Sequence, residues 1–266
     1  MNRDICNSRV TFVVNDIHFD LHHEEGWEAF VQCVKDTEPD EIVVNGDFLD
    51  LGMLSHYRQG EKDPLNAIEQ VKCFAYEMKR ILGYTKRLVV IEGNHDERWS
   101  KIMHSVTAKA LEGAIGLSLK EQCYAQGLPK EVVWISESNR SRGYSIGKFL
   151  IRHGHKQGGK YSPQHIAAQR VNKSNGRSEI VGHHHRAQMF CRTAGGVTAV
   201  GIASPCLTAD HDYATDADWQ RGFVVVEQYD TVDTAYPIVM DNHGSFCWAG
   251  RAYDGRKLLA RRRRTR

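Results

Sequence analysis

A chain of 266 residues with a formal net charge of +2 is long enough for one large α/β core with an added cap or tail. Residues 1–9 lack an apolar stretch, and no segment approaches the ~18 uninterrupted apolar residues that span a bilayer, so we expect neither a secretory signal nor a membrane anchor. Seven cysteines without a C-x-x-C pair argue against a disulfide framework or a zinc ribbon and favour a soluble, cytoplasmic protein with reduced thiols.

Strands and helices alternate in the first half of the chain. Short apolar runs rich in β-branched residues predict three strands buried on both faces, at residues 10–14, 41–44 and 87–91. Helical spacing of apolar residues predicts two intervening helices, at residues 27–36 and 64–82, the second with Pro64 in its first turn. The resulting βαβαβ order is typical of a parallel sheet.

Each of these three strands ends at a polar motif. In an open parallel sheet the loops that follow the strands meet at one edge, where active sites collect. Asp16, Asp47 and Asn94 occupy such loops. We therefore expect these three side chains to converge in space.

The second half of the chain is richer in strands. Residues 98–126 predict a helix that forms part of a cap or substrate wall, and residues 163–171 predict one further helix. Strands are expected at residues 132–135, 148–152, 179–181, 197–202 and 223–227. Because strands outnumber helices here, we predict a second sheet packed against the first.

The end of the chain is strongly basic. From Arg251 onward, eight basic residues accompany a single acidic one, which gives this segment a net charge of +7. Because the whole chain carries +2, residues 1–250 carry a net charge of −5. We predict a folded domain over residues 1–250 and a flexible basic tail over residues 251–266. The run from Arg261 to Arg264 can follow a nucleic-acid backbone; a disordered solubilising end or a contact to the acidic body is the alternative, and both interpretations stay open.

Five short polar runs supply the residue types of a two-metal site. Two adjacent divalent cations need a bridging carboxylate together with neutral imidazole or carbonyl ligands. A lone Asp often caps a helix, and a lone His is usually a core residue. Several motifs that contain Asp and His in a fixed order along the chain favour metal binding instead. The runs are D-x-H at 16–18, G-D-x-x-D at 46–50, G-N-H-D at 93–96, H-G-H at 153–155 and G-H-x-H at 182–185.

In this order the five motifs resemble the calcineurin-like metallophosphoesterase superfamily. The resemblance covers residues 16–185. It implies a four-layer α/β/β/α sandwich with two central mixed β-sheets and a bimetal site at the strand ends. It also implies hydrolysis of phosphate esters, with a hydroxide shared by two divalent metal ions as the nucleophile. Mixed Asp, Asn and His ligands accept manganese, iron, zinc or cobalt, and the resemblance favours manganese.

The resemblance also implies a role for each motif residue. His95 resembles the histidine that protonates the departing oxygen, with Asp50 as its orienting partner and Asp96 as the alternative. Arg98 lies outside the motifs, but its position just after G-N-H-D suggests that it binds a phosphate oxygen, or else forms an ion pair with Glu92 or Glu97. His155 either reaches the phosphate or supports its loop. One metal would be held by Asp16, His18 and His185, the other by Asn94, His153 and His183, with Asp47 bridging the two.

The residues directly after the G-D-x-x-D motif bear on the substrate class. In serine/threonine protein phosphatases of this superfamily the motif is followed by Arg-Gly, whereas here Leu51 and Gly52 occupy these positions. This difference and the basic tail favour a phosphodiesterase or nuclease that acts on nucleic acid or nucleotides. The alternative is a phosphomonoesterase with a small-molecule or protein substrate. A non-catalytic nucleic-acid-binding scaffold is disfavoured because the predicted ligands and His95 are all present.

Overall fold

The computed structural model describes residues 8–55, 65–103, 117–136, 143–155, 163–211 and 218–265. The first half contains the following elements in chain order: β1 (Ser8–Val14), α1 (Glu24–Thr37), β2 (Glu41–Asn45), α2 (Ala67–Leu82), β3 (Arg87–Ile91), α3 (Glu97–Met103), α4 (Leu119–Ala125) and β4 (Val133–Ile135). Each predicted strand and helix of the βαβαβ unit is present. Pro64 lies outside the described residues, and Asn66 caps α2 in a capping box with Glu69.

The second half is dominated by strands, as predicted. Its elements are β5 (Tyr144–Ile146), β6 (Phe149–Arg152), α5 (Ile166–Lys173), β7 (Ser178–Val181), β8 (Gln188–Ala194), β9 (Val197–Ala203), β10 (Gly222–Tyr229), β11 (Val232–Val239), β12 (Phe246–Trp248), β13 (Arg251–Tyr253) and α6 (Gly255–Thr265). Among the described helices, no helix is both long and apolar enough to cross a bilayer.

Two mixed sheets form the centre of the fold. The first has the order β11-β10-β1-β2-β3-β4, in which β1 to β4 are parallel and β10 and β11 antiparallel to their neighbours. The second has the order β5-β6-β7-β9-β8, with β6, β7 and β9 parallel. A separate hairpin pairs β12 with β13.

Alternating side chains of the first sheet enter two different cores. In β1, Phe12 and Val14 pack with α1 and α2, whereas Val13 faces the second sheet; β2 and β3 alternate in the same way. A smaller cluster that includes Ile166 lies where α5 covers the second sheet. The layers therefore run helix, sheet, sheet, helix, which confirms the predicted four-layer α/β/β/α sandwich.

Some elements differ from the prediction. The helix expected over residues 98–126 is at least two helices: α3 ends at Met103, and α4 begins at a new capping box formed by Ser118 and Glu121. Residues 104–116 lie outside the described part of the chain. Strands β8 and β11 were not predicted because much of their surface is exposed, so their composition lacks a continuous apolar run.

The prediction of a flexible tail was wrong for residues 255–265, which form α6 against α1. Arg262 forms ion pairs with two buried glutamates, Glu28 on α1 and Glu77 on α2. Its Nη2 lies 2.7 Å from Glu77 Oε1. Arg263 pairs with Glu24 at 2.6 Å, and Leu258 packs on the main core. These contacts offset the repulsion among the arginines. The domain boundary at residue 250 stays a prediction.

Glu77→Gln is expected to lower the free energy of unfolding by about 3 kcal/mol at pH 7, because Arg80 and Arg262 both lose a buried carboxylate partner. Burial raises the pKa of Glu77, but hydrogen bonds from Trp27, Arg80 and Arg262 outweigh burial and lower the pKa below 4.5. Because its pKa is lower in the folded state, ionised Glu77 stabilises the fold above pH 4.5. This stabilisation is lost as the pH falls through the folded-state pKa.

Urea unfolding of the wild type and Glu77→Gln, followed between pH 7 and about pH 3.5, measures this effect. The difference between the two proteins should shrink as the pH falls below 4.5. A difference that stays constant with pH would contradict an ionic origin. Glu131→Gln, the same change at an exposed glutamate outside the helices, is the matched control and should alter stability by no more than about 0.5 kcal/mol.

Candidate metal centre

The loops that follow β1 and β2 run side by side. The backbone N–H of Asp16 donates to the Gly46 carbonyl at 3.0 Å, and that of His18 donates to the Asp47 carbonyl at 3.0 Å. Phe19 and Phe48 continue this ladder. The first two polar motifs are thereby held in a fixed register at the carboxyl ends of the strands.

Two glycines allow neighbouring loops to approach closely. Gly46 has φ of 84°, a left-handed conformation, and a Cβ there would strike the His153 imidazole. A Cβ at Gly93 would collide with the Asp47 carboxylate. The glycines of the G-D-x-x-D and G-N-H-D motifs therefore let His153 and Asp47 reach the same space.

Five of the predicted ligands share an unusual backbone conformation. They lie in the left-handed region, which is uncommon for non-glycine residues but tolerated best by Asp, Asn and His. The residues and their φ values are Asp16 (51°), His18 (50°), Asp47 (50°), His183 (69°) and His185 (56°). Within D-x-H and H-x-H, both outer residues have this conformation. The fold holds them there by the surrounding hydrogen bonds.

The first group of converging side chains is Asp16, His18 and His185, whose ligand atoms lie within 4.8 Å of one another. Asp16 Oδ1 is 3.3 Å from His185 Nε2. His18 Nδ1 lies 3.2 Å from Asp50 Oδ1, while its buried Nε2 has no hydrogen-bond partner among the described residues. An imidazole held by a carboxylate on one nitrogen and open on the other is the usual arrangement of a metal-binding histidine.

The second group is Asp47, His153 and His183, again within 4.8 Å of one another. His153 Nδ1 donates to the Asn45 carbonyl at 2.9 Å in the neutral tautomer, which leaves Nε2 as the lone-pair nitrogen. Around Nε2 lie Asp47 Oδ2 at 3.2 Å and Asn94 Oδ1 at 3.1 Å. When Nε2 carries no proton, three acceptors face one another, and a cation between them would satisfy all three, so this group fits a metal ion.

Asp16 and Asp47 are ionised in this environment. Burial raises the pKa of Asp16, but the His185 imidazole outweighs burial and lowers it below its usual value. Burial also raises the pKa of Asp47, and His153 then holds it well below its usual value. Metal ligands must be deprotonated, and both carboxylates meet this requirement at neutral pH.

The histidines divide into neutral and charged groups. Burial lowers the pKa of His18, and burial together with the positive field of His153 lowers that of His183 to about 3. Burial also lowers the pKa of His153, but the Asp47 carboxylate outweighs it and raises the pKa to about 9. A divalent cation beside Asp47 would take the place of the His153 proton.

His95 lies next to the first group, with its ring centroid 4.5 Å from that of His18. Its Nδ1 is 2.8 Å from the Asp50 carbonyl and 3.4 Å from Asp50 Oδ1, so Asp50 contacts both His18 and His95. The alternative partner, Asp96, instead accepts the backbone N–H groups of Gly93 and Leu49. The structure thus places Asp50, and not Asp96, at the His95 imidazole.

Arg98 reaches the same imidazole from the other side. Its Nη2 lies 3.1 Å from His95 Nε2, and its Nη1 donates to the Asp50 carbonyl at 2.8 Å. Burial lowers the pKa of His95, but Asp47 and Asp50 outweigh burial and raise it above its usual value. Arg98 forms no salt bridge with Glu92 or Glu97, the alternative partners expected from the sequence; all three residues lie in the described part of the chain.

His155 lies beside the second group, with its ring centroid 5.5 Å from that of His153 and 5.8 Å from that of His183. His184, between the two predicted ligands, packs edge-on against His183 at 5.1 Å. The structure therefore brings all the predicted metal ligands, His95, Asp50, Arg98 and His155 into one region.

Two aromatic side chains in this region were missed in the sequence. The His211 ring is 5.3 Å from His18, and the Trp219 ring is 4.4 Å from His185 and 5.2 Å from His211. His211 Nε2 lies 2.6 Å from Thr208 Oγ1. In the sequence, His211 belongs to a polar cluster at residues 210–213, and Trp219 is an isolated tryptophan. Neither has a motif that links it to the other histidines, and Asp212 and Tyr213 lie outside the described residues.

Comparisons with known proteins found one matching family and several similar chains. The model of the family "calcineurin-like phosphoesterase" matches residues 10–201. The Gene 54 protein of Mycobacterium phage L5 is 24% identical over 235 residues, which cover 82% of this chain and 89% of that protein.

Solved structures are similar at lower identity. Vacuolar protein sorting 29 from Cryptosporidium parvum is 13% identical, with a TM-score of 0.45, and the match covers 92% of this chain and 94% of that chain. A metallophosphoesterase from Sphaerobacter thermophilus is 14% identical, with a TM-score of 0.39, and the match covers 87% and 88% of the two chains.

Proposed function

The chain belongs to the calcineurin-like phosphoesterase family, and we propose that it is a phosphodiesterase or nuclease that acts on nucleic acid or nucleotides. Family membership makes it a metal-dependent hydrolase of phosphate esters. The observation that carries the proposal is the pair of adjacent ligand groups, each of which combines a carboxylate with two imidazoles. Such pairs bind and polarise phosphate oxygens and activate water when their metals are bound.

We assign one metal to Asp16, His18 and His185, and the other to Asn94, His153 and His183. Asp47 is proposed to bridge them; its Oδ2 faces His153, and its Oδ1 accepts the His95 backbone N–H at 2.8 Å. Manganese is the proposed metal on the strength of the resemblance to the family, since the set of Asp, Asn and His ligands by itself accepts several divalent ions. Iron, zinc and cobalt are the alternatives that metal analysis distinguishes.

His95 is proposed to protonate the departing oxygen. In the structure the Asp50 carbonyl accepts a hydrogen bond from His95 Nδ1, and the Arg98 guanidinium contacts His95 Nε2. An acid needs its proton on Nε2, which the raised pKa of His95 favours. We propose that an incoming phosphate draws the Arg98 guanidinium away from Nε2, so that one arginine both binds phosphate and uncovers the acid. His155, beside the second group, is proposed to contact the same phosphate.

Three features support a nucleotide or polynucleotide substrate. Leu51 and Gly52 stand where protein phosphatases of this family have Arg-Gly. Trp219 offers a partly exposed aromatic ring beside His185, and aromatic rings bind nucleobases by stacking. The basic helix α6 supplies positive charge suited to a phosphate backbone.

A matched panel of substrates tests this proposal. Manganese-dependent hydrolysis of an aryl phosphate monoester and the corresponding bis-aryl diester is compared with cleavage of single-stranded and duplex DNA, with Asp47→Asn as the blank. We expect diesters and DNA to be hydrolysed with the higher kcat/KM. Selective hydrolysis of the monoester would contradict the proposal and establish the phosphomonoesterase alternative.

A further inference from the structure

The helix α6 forms one wall of an open cavity of about 480 Å³ with α1 and α2, and none of the predicted metal ligands lines it. Four of the side chains that line it are cationic: Lys35, Arg80, Arg261 and Arg262. Gln32, Tyr76 and Thr265 add polar groups, and Glu28 is the acidic residue of the lining. We call this cavity the basic pocket.

Two of these arginines are held in place by buried carboxylates. Arg80 forms a bidentate pair with Glu28, at 2.8 and 2.7 Å, and contacts Glu77 at 2.5 Å. Arg262 joins the same two glutamates, and Trp27 Nε1 donates to Glu77 at 2.6 Å. This network fixes α6 against α1 and α2 and therefore fixes the shape of the basic pocket.

The remaining cations give the basic pocket its charge. Glu28 and Glu77 balance Arg80 and Arg262, but no ion pair among the described residues includes Lys35 or Arg261. These two side chains leave the basic pocket with an excess of about two positive charges. Tyr76, 49% exposed, adds an aromatic surface at its edge. Cations beside an exposed aromatic ring are the combination with which proteins bind single-stranded nucleic acid.

The position of the basic pocket relates it to the metal centre. Helix α1 begins at Glu24, six residues after His18, so its first turn lies near the metal loops. Lys35 lies eleven residues further along α1, about 16 Å at 1.5 Å per residue. A strand stacked as in duplex DNA covers that distance with about five nucleotides at ~3.4 Å each, and a more extended strand needs fewer. A polynucleotide is therefore long enough to contact both places, whereas a mononucleotide is too short.

We propose that the basic pocket is an exosite that binds the backbone phosphate of a polynucleotide several nucleotides from the scissile bond. This inference rests on the proposed nuclease function and specifies its substrate class as a chain, not a mononucleotide. The basic C-terminal segment then contributes to binding as a docked helix that completes a pocket, not as a flexible arm.

The test is a double charge reversal, Lys35→Glu with Arg261→Glu, made in the full chain. Its matched control is Lys173→Glu with Arg192→Glu, an equal change in charge at two exposed sites on α5 and β8. KM and kcat are measured with manganese for a single-stranded 20-nucleotide DNA, a dinucleotide and a bis-aryl phosphodiester. The salt dependence of kcat/KM for the DNA is measured alongside.

We expect the pocket variant to raise KM for the 20-nucleotide DNA at least tenfold and to reduce its salt slope by about 1 to 2, while the dinucleotide and aryl diester are unaffected. The control should change KM less than about threefold. An equal rise in KM for the DNA in both double variants would overturn the exosite and leave the proposed nuclease function standing. Hydrolysis of the aryl diester without any cleavage of DNA by the wild type would overturn both the exosite and the proposed nucleic-acid substrate.

Discussion

Replacing Asp47 with asparagine is expected to lower phosphodiester turnover by more than about 100-fold and to reduce the metal content of the protein. Residues that merely support a metal ligand cost about 10- to 100-fold when removed, so the proposed bridging ligand should cost more. Asparagine keeps the size of the side chain but removes its charge, on which the paired cations depend. Turnover and metal content, by elemental analysis of the purified variant, are the two measurements.

The matched control for Asp47→Asn is Asp40→Asn. Asp40 precedes β2 and accepts the Val10 backbone N–H at the opposite end of the parallel strands. This variant should keep its metals and its activity. Normal activity and metal content in Asp47→Asn would contradict the assignment of Asp47 as a bridging ligand.

His95→Ala is expected to slow hydrolysis of a diester with a poor leaving group by about 10²- to 10⁴-fold while leaving the metal content unchanged. The defect should be much smaller for a nitrophenyl ester, because that leaving group departs without a proton. The two activities, each measured as kcat across pH, separate an acid role from a general loss of structure.

His243→Ala provides the control for His95→Ala, since His243 is a partly exposed histidine near Glu25, outside the metal centre. It should leave both activities unchanged. An equal defect of His95→Ala for good and poor leaving groups would argue against proton donation. Loss of metal from His95→Ala would instead indicate that His95 helps to hold the ligand loops.

The layered fold was largely predictable because its central strands carry the signal in their own composition. Strands β1, β2 and β3 are buried on both faces, so every residue from Phe12 to Val14 must be apolar. The edge strands β8 and β11 lack this constraint and were missed. Helix α6 was predicted as a flexible tail because its stability comes from Glu28 and Glu77, which lie far away in the sequence.

The residues of the candidate site that belong to sequence motifs could be predicted. The contacts that depend only on how the loops pack could not. D-x-H and G-H-x-H are local patterns, and the structure brings both to one place. The contact of Asp50 with His18, in addition to His95, depends on how two loops pack. The aromatic contacts of His211 and Trp219 likewise arise from tertiary packing, since neither residue belongs to a motif.

The most direct test of the binuclear site is the number of metal ions bound per chain. Titration of metal-free protein with manganese, followed by calorimetry and checked by elemental analysis, should give two ions per wild-type chain. His185→Ala removes a ligand of the first group only and should retain about one ion. A wild-type chain that binds one ion or none at saturating manganese, and likewise with zinc, iron and cobalt, would contradict the two-metal account.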